Sequence, residues 1–154
     1  MIQGIFYARF FPKAGMISPT FFLHSLSYLT LSPGTKIVAQ SPPGCIVPAE
    51  GSTKPTLFNF DVLAEYIIPR PAFCNRYITV DDPEGKYTVL SYPVSISNSK
   101  YFRNTFIFNF GIVVESDVDQ APYENVVRRI AATFAEMEKQ SGYLSQDSEG
   151  NERG

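Results

Sequence analysis

Apolar and polar residues alternate at the start of the chain. From Ile2 to Phe11, Ile2, Phe6, Ala8 and Phe10 fall on one side and Gln3, Tyr7 and Arg9 on the other, until Pro12 stops the run. That two-residue period predicts a first strand. Residues 12–54 are rich in Pro, Gly and Ser, and only 35–40, with Ile37 and Val38, have strand character; Pro42, Pro43 and Pro48 exclude a helix. Phe60, Leu63, Ala64, Ile67 and Ile68 then recur at the spacing of one helix face, with Thr56 or Asn59 as cap and Pro69 and Pro71 beyond the end. Residues 76–80 have strand composition, Asp81-Asp82-Pro83-Glu84-Gly85 reads as a turn, and 87–94 form the return strand, weakened at its far end by Pro93.

The best strand signal follows a second turn at Ser97-Asn98-Ser99. Phe106, Phe108, Phe110, Ile112 and Val114 alternate with Ile107, Asn109, Gly111 and Val113, so neither face is wet. Such a strand belongs in the middle of a sheet covered on both sides. The polar turn before it, with Arg103, is therefore expected at the sheet's rim. Tyr123, Val127, Ile130, Phe134 and Met137 mark a helix lying on a sheet, with Asp119 as cap, Pro122 in the first turn, Gly142 as stop and an i, i+4 pair of Glu124 and Arg128. Residues 145–154 are polar and aperiodic and read as a frayed tail. Strand, strand, helix, three strands, helix predicts an α+β protein with a helix on each face of one sheet.

Composition narrows the chemistry. A chain of 154 residues holds one domain, and 44% hydrophobic residues with 13 Phe and 9 Tyr argue against disorder. Thirteen Lys and Arg against 15 Asp and Glu give a net charge of −2, and no basic run could neutralise successive phosphates, so nucleic acid is not expected as a partner. Cys45 and Cys74 have neither CxxC nor zinc spacing and read as reduced thiols in a cytoplasmic protein. His24 is the sole histidine and no carboxylates cluster, so no metal or cofactor is expected. The apolar stretch 16–31 is interrupted by Ser18, Thr20, His24, Ser25, Ser27 and Thr30, is shorter than the ~20 residues of a membrane span, and lacks a basic flank. No membrane insertion is expected. With no P-loop, nucleophile elbow or paired carboxylates, the chain is not read as an independent enzyme.

The local motifs are more specific. Ile5-Phe6-Tyr7-Ala8-Arg9-Phe10, Tyr66-Ile67-Ile68 with Arg70-Pro71, Asn75-Arg76-Tyr77-Ile78-Thr79-Val80, and above all Lys100-Tyr101-Phe102-Arg103-Asn104 with Phe108-Asn109-Phe110-Gly111 resemble the N-terminal domain of the nitrogen permease regulator 2 family. The resemblance runs over residues 2–143 with one gap. It implies a longin-like fold for 1–144: a five-stranded, mostly antiparallel sheet with helices on both faces. It also implies a subunit of the GATOR-type, or SEA-inhibitory, complex. The implied partners are nitrogen permease regulator 3, through a longin–longin heterodimer, a DEP-domain subunit, and a Rag-type GTPase that the complex activates. Activation restrains TOR kinase signalling when amino acids or nitrogen are scarce, with autophagy downstream, at a vacuolar or lysosomal membrane surface reached through the complex. The family's catalytic arginine lies in the Lys-Tyr-x-Arg-Asn motif, which falls on Arg103; Lys100, Tyr101 and Asn104 become supporting or partner-binding candidates.

Taken from the residues alone, Arg103 and Lys100 are equally solvated turn cations, Asn104 a turn former, and Tyr101 and Phe102 core or partner-facing rings. Two other functions compete: a longin scaffold that pairs without catalysis, and a trafficking-type longin, which would carry a coiled-coil heptad and membrane anchor that these residues do not contain. The reading of Arg103 turns on whether it stands at the rim or folds back onto a carboxylate such as Asp81 or Asp82.

Two departures from the family pattern stand out. Residues 16–32 separate Ala14-Gly15 from Pro33-Gly34-Thr35-Lys36-Ile37, where the family joins its first two strands by a short Gly-Pro turn. We hypothesise an inserted loop encoded by a retained intron, because codons for Gly15-Met16 can carry a GTATG donor and those near Leu31-Ser32 a CAG acceptor. Transcript sequencing decides this: mature messages lacking the segment are expected, and messages that always encode it refute the idea. The second departure is the polar tail, where the family continues with a further helix and further domains; a truncated chain with part of its sheet uncovered is expected.

Overall fold

The protein is described here by a computed structural model over residues 1–12 and 34–146. The segment 16–32 read as an insertion, His24 within it, and residues 147–154 of the expected tail lie outside the described residues. The opening alternation forms β1 (Ile2–Phe11), followed by β2 (Gly34–Ser41), helix α1 (Phe60–Ile67), β3 (Ile78–Asp81), β4 (Tyr87–Ser97), β5 (Thr105–Glu115), α2 (Ala121–Ser141) and the short α3 (Tyr143–Gln146). The five strands make one sheet in the order β2-β1-β5-β4-β3, and every neighbouring pair is antiparallel. The α+β, longin-like architecture expected from the sequence is the one observed.

β5 is the central strand, and its two residue sets go to opposite layers. Ile107 and Val113 join Phe6, Ala8, Val89, the α1 residues Leu63 and Ile67, and Ile68 just beyond the helix. Phe106 and Phe108 pack with Val94, Ala131 and Leu144, while Ile112 and Val114 pack with Leu90 and Val127. A strand buried on both faces must pair all its backbone groups within the sheet, and β1 and β4 flank it on both sides.

Between Ile107 and Val113, the two non-apolar residues of this set have definite tasks. Asn109, fully buried, donates its amide to the Ile67 carbonyl at 2.6 Å, in the last turn of α1, where carbonyls lack helical partners. Gly111 pairs with Phe6 across the sheet, and a Cβ on it would lie 2.3 Å from the Phe6 ring. The ring therefore occupies the space that a side chain would need. At the other end of α1, Asn59 Oδ1 accepts the Asp61 N–H at 3.0 Å, as a cap does.

The strand does not weaken at Pro93, because β4 continues to Ser97. The Pro93 carbonyl accepts the Asn75 N–H at 2.7 Å on the edge ahead of the start of β3, and its nitrogen faces that same edge, so no ladder donor is lost. The strand read at 76–80 is shorter and starts at Ile78. On α2 the buried residues are Val127, Ala131 and Glu138, whereas Tyr123, Ile130, Phe134 and Met137 of the expected stripe are half-buried. Asp119 contributes by accepting the Ala121 N–H, and Gly142 ends the helix with φ 65°. Ser145 and Gln146, read as the start of the tail, belong to α3. No helix among the described residues is long and apolar enough to cross a membrane.

Candidate functional site

Residues 98–104 connect β4 to β5 beyond the last ladder pair, Ser97 with Thr105. The loop closes on its own backbone. The Asn98 N–H donates to Asn104 O at 3.0 Å, Tyr101 N–H to Asn98 O at 3.2 Å, and Asn104 N–H to Tyr101 O at 2.9 Å. Asn98 Oδ1 also accepts the Lys100 N–H at 3.0 Å, an Asx turn. These bonds hold a turn in which Arg103 has φ 57° and ψ 22° and Asn104 has φ 61°. Asn tolerates the left-handed region, but for Arg it costs roughly 1–2 kcal/mol, which surrounding bonds must offset.

Phe102, Arg103 and Asn104 are exposed at the rim, as the position before a central strand predicts. The Arg103 guanidinium lies 5.6 Å from the Phe102 ring centroid, a contact that limits its wandering without neutralising it. Among the described residues Arg103 makes no ion pair with a carboxylate; the pair found there is Arg128 with Glu124 at 2.9 Å. Topology removes Asp81 and Asp82 as partners. They precede the start of β4 and the loop follows its end, so 11 residues at about 3.3 Å each separate the two turns. Asp81 instead accepts the Thr88 hydroxyl at 2.7 Å.

The other motif residues divide. Asn104 faces outward beside Arg103. Tyr101 turns inward: its ring stacks on Phe106 at 5.3 Å and its hydroxyl donates to Glu138 Oε1 at 2.6 Å. Lys100 Nζ lies 5.0 Å from the Tyr101 ring centroid and 3.8 Å from where a Cβ on Gly142 would sit, beside the C-terminal end of α2. A cation there complements the negative end of the helix dipole. The loop thus offers one outward arginine and one lysine held against the fold.

Sequence reasoning missed Glu138 and Arg9. Glu138 is fully buried; besides Tyr101 it accepts the N–H groups of Leu144 at 2.8 Å and Ser145 at 3.0 Å. Burial alone would raise its carboxyl, but hydrogen bonds from Ser145, Tyr101 and Leu144 together hold it below the ordinary value of 4.5. Burial first, and then the Glu138 carboxylate, push the Tyr101 phenol well above its ordinary 10.0, so it remains a neutral donor. Arg9, 9% exposed, donates from Nη1 to the Leu144 carbonyl at 3.2 Å, with its guanidinium 4.9 Å from the ring centroids of both Phe11 and Phe106. The signal for Glu138 was present as a spacing: it stands four residues after Phe134 and seven after Ala131, on the helix face that meets the sheet.

A carboxyl with a depressed folded-state pKa contributes stability that is complete above its unfolded value and lost as pH falls through the folded value. Glu138→Gln is expected to cost about 1–3 kcal/mol at pH 7. The gap to wild type should close as urea unfolding is repeated at successively lower pH below 4.5. A gap unchanged down to pH 3 would mean that Glu138 is not ionised in the fold.

The profile of the nitrogen permease regulator 2 family matches residues 1–153. The chain is 34% identical over 125 residues to nitrogen permease regulator 2 of Saccharomyces cerevisiae, covering 80% of this chain and 19% of that protein. It is 34% identical over 112 residues to the nitrogen permease regulator 2 homolog of Schizosaccharomyces pombe, covering 73% of this chain and 27% of the other. It is 34% identical over 91 residues to the GATOR complex protein NPRL2 of Drosophila melanogaster, covering 58% and 22% respectively. The aligned region thus spans about a fifth to a quarter of the length of these relatives.

Proposed function

The chain belongs to the nitrogen permease regulator 2 family, and from that premise we propose that it is a subunit of a GATOR-type complex that activates a Rag-type GTPase, with Arg103 as the arginine finger. The Drosophila relative is named as a GATOR complex protein, which supports the assembly. In this reading the domain pairs with nitrogen permease regulator 3 through their longin domains, alongside a DEP-domain subunit. The complex reaches the vacuolar or lysosomal surface and restrains TOR signalling when amino acids are scarce. The protein supplies a catalytic group in trans and performs no chemistry alone.

The observation that carries the reading is Arg103 itself: exposed, without an ion pair among the described residues, and held by a closed loop in a conformation unfavourable for arginine. Phosphoryl transfer spreads negative charge over the transferred group, and a guanidinium meets it with a permanent charge and several fixed donors. Carried on a turn anchored to the central strand, such a group loses little freedom when it docks. Lys100 and Asn104 flank it without facing carboxylates in the loop, since 98–104 contains none; Tyr101 supports it from below.

The test is single-turnover GTP hydrolysis by the Rag-type GTPase with the assembled complex. Acceleration by wild type that Arg103→Ala abolishes, with binding of the GTPase retained, is the expected outcome. Equal acceleration by both would leave this domain as a longin scaffold.

A further inference from the structure

The arginine loop, α3 and the first strand meet at one buried carboxylate. Glu138 receives the Tyr101 hydroxyl from the loop and the Leu144 and Ser145 N–H groups from α3. Arg9 of β1 holds the Leu144 carbonyl and lies against Phe106, the ring on which Tyr101 stacks. A fully desolvated carboxylate is costly to leave short of donors, so these groups stay or leave together. Tyr101 is also the hinge of the turn: its carbonyl accepts the Asn104 N–H, which closes the residues that carry Arg103. Any displacement of Tyr101 is passed to Arg103 through two peptide units.

From this geometry we infer that Tyr101 and Glu138 are positioning residues for Arg103, and that they make the presenting conformation of the loop depend on a docked α3. The inference rests on the arginine-finger reading above. A transferring phosphoryl group tolerates little error in the placement of its stabilising charge, and misplacement by about 1 Å costs on the order of 10²-fold in rate. The loop's own backbone bonds close the turn that keeps Arg103 in the left-handed region, and the Tyr101–Glu138 bond ties that closed turn to the body of the fold. The Lys100 ammonium lies 5.0 Å from the centroid of the same ring, a further contact on the Tyr101 anchor.

The experiment uses the full-length chain in its assembled complex and compares wild type, Tyr101→Phe, Glu138→Gln, Arg103→Ala and the double variant Tyr101→Phe with Arg103→Ala. Tyr101→Phe removes only the hydroxyl and keeps the ring on Phe106, so it reports on the tie even where Glu138→Gln loosens the fold. At saturating complex, Tyr101→Phe is expected to slow single-turnover hydrolysis by about 10- to 100-fold, with GTPase affinity within about two-fold of wild type. Amide hydrogen exchange at Asn104 should quicken. On the Arg103→Ala background the hydroxyl should have almost no further effect, because the two side chains act as one unit. Wild-type rates for Tyr101→Phe and Glu138→Gln beside an impaired Arg103→Ala would overturn the positioning role and leave the finger intact. A full, independent loss on the Arg103→Ala background would overturn it as well. A wild-type rate for Arg103→Ala would remove the finger reading and this inference with it.

Discussion

Arg103→Ala in the assembled complex is expected to slow GTP hydrolysis by about 10³- to 10⁵-fold, roughly 4 to 7 kcal/mol of transition-state stabilisation, with GTPase affinity little changed. On the proposed finger reading the loss falls on rate, because a guanidinium in that role matches charge that develops only as the phosphoryl group transfers. Arg103→Lys keeps the charge but not the planar fork, and should recover only a small part of the rate. Arg103→Gly separates catalysis from stability. Glycine adopts φ 57° without strain, which offsets its greater freedom in the unfolded chain, so urea unfolding should shift by no more than about 1 kcal/mol. Full catalytic loss with an unaltered fold is the expected signature of a residue kept in strain for its function. A marked loss of stability in Arg103→Gly would contradict the strained turn.

Gly111→Ala is expected to lower stability by about 3 kcal/mol, the upper end of overpacking costs. Its Cβ would stand 2.3 Å and 2.5 Å from two atoms of the Phe6 ring, closer than any real contact. Phe6 is 1% exposed, enclosed between the sheet and α1, so its ring cannot swing into solvent. Relief must come from shifting β1 against β5, the pair at the centre of the sheet. Phe6→Leu alone should destabilise by leaving a cavity, yet on the Gly111→Ala background it should restore part of the loss. A double-mutant cycle by urea denaturation is expected to give a coupling of about 1–3 kcal/mol between the two positions. Additive effects would contradict the close ring-to-glycine packing.

Much of the framework follows from periodicity. The alternation in β5 places Phe108 and Val113 on opposite faces, both buried, and this alone puts Arg103 at the rim. Asn109 and Gly111 were visible in the sequence only as breaks in an apolar face; their partners, Ile67 and Phe6, come from elements 42 residues away and across the sheet, which no local pattern encodes. For Glu138 the spacing on the sheet-facing side of α2 was legible, but its burial and partners were not, for a related reason. A glutamate in a helix is ordinarily solvated, and what inverts that here is the convergence of Tyr101, Leu144 and Ser145 through chain folding. Pro93 misled because the cost of a proline depends on whether a neighbouring strand faces its nitrogen, and β3 starts only at Ile78, opposite Ser91, so it does not reach Pro93. The left-handed turn at Arg103 had no glycine to announce it. Conversely, the separation of Arg103 from Asp81 and Asp82 needed only the strand order, since opposite ends of one long strand cannot meet.

The finger assignment is tested most directly by transition-state mimicry. The complex is titrated with Rag-type GTPase holding GDP alone, and then GDP with aluminium fluoride, whose planar geometry imitates the transferring phosphoryl group. Wild type should bind the mimic state more tightly than the GDP state by at least about 10²-fold, and Arg103→Ala should lose that gain while keeping wild-type affinity for the GDP state. An Arg103→Ala complex that discriminates between the two states as wild type does would contradict the assignment.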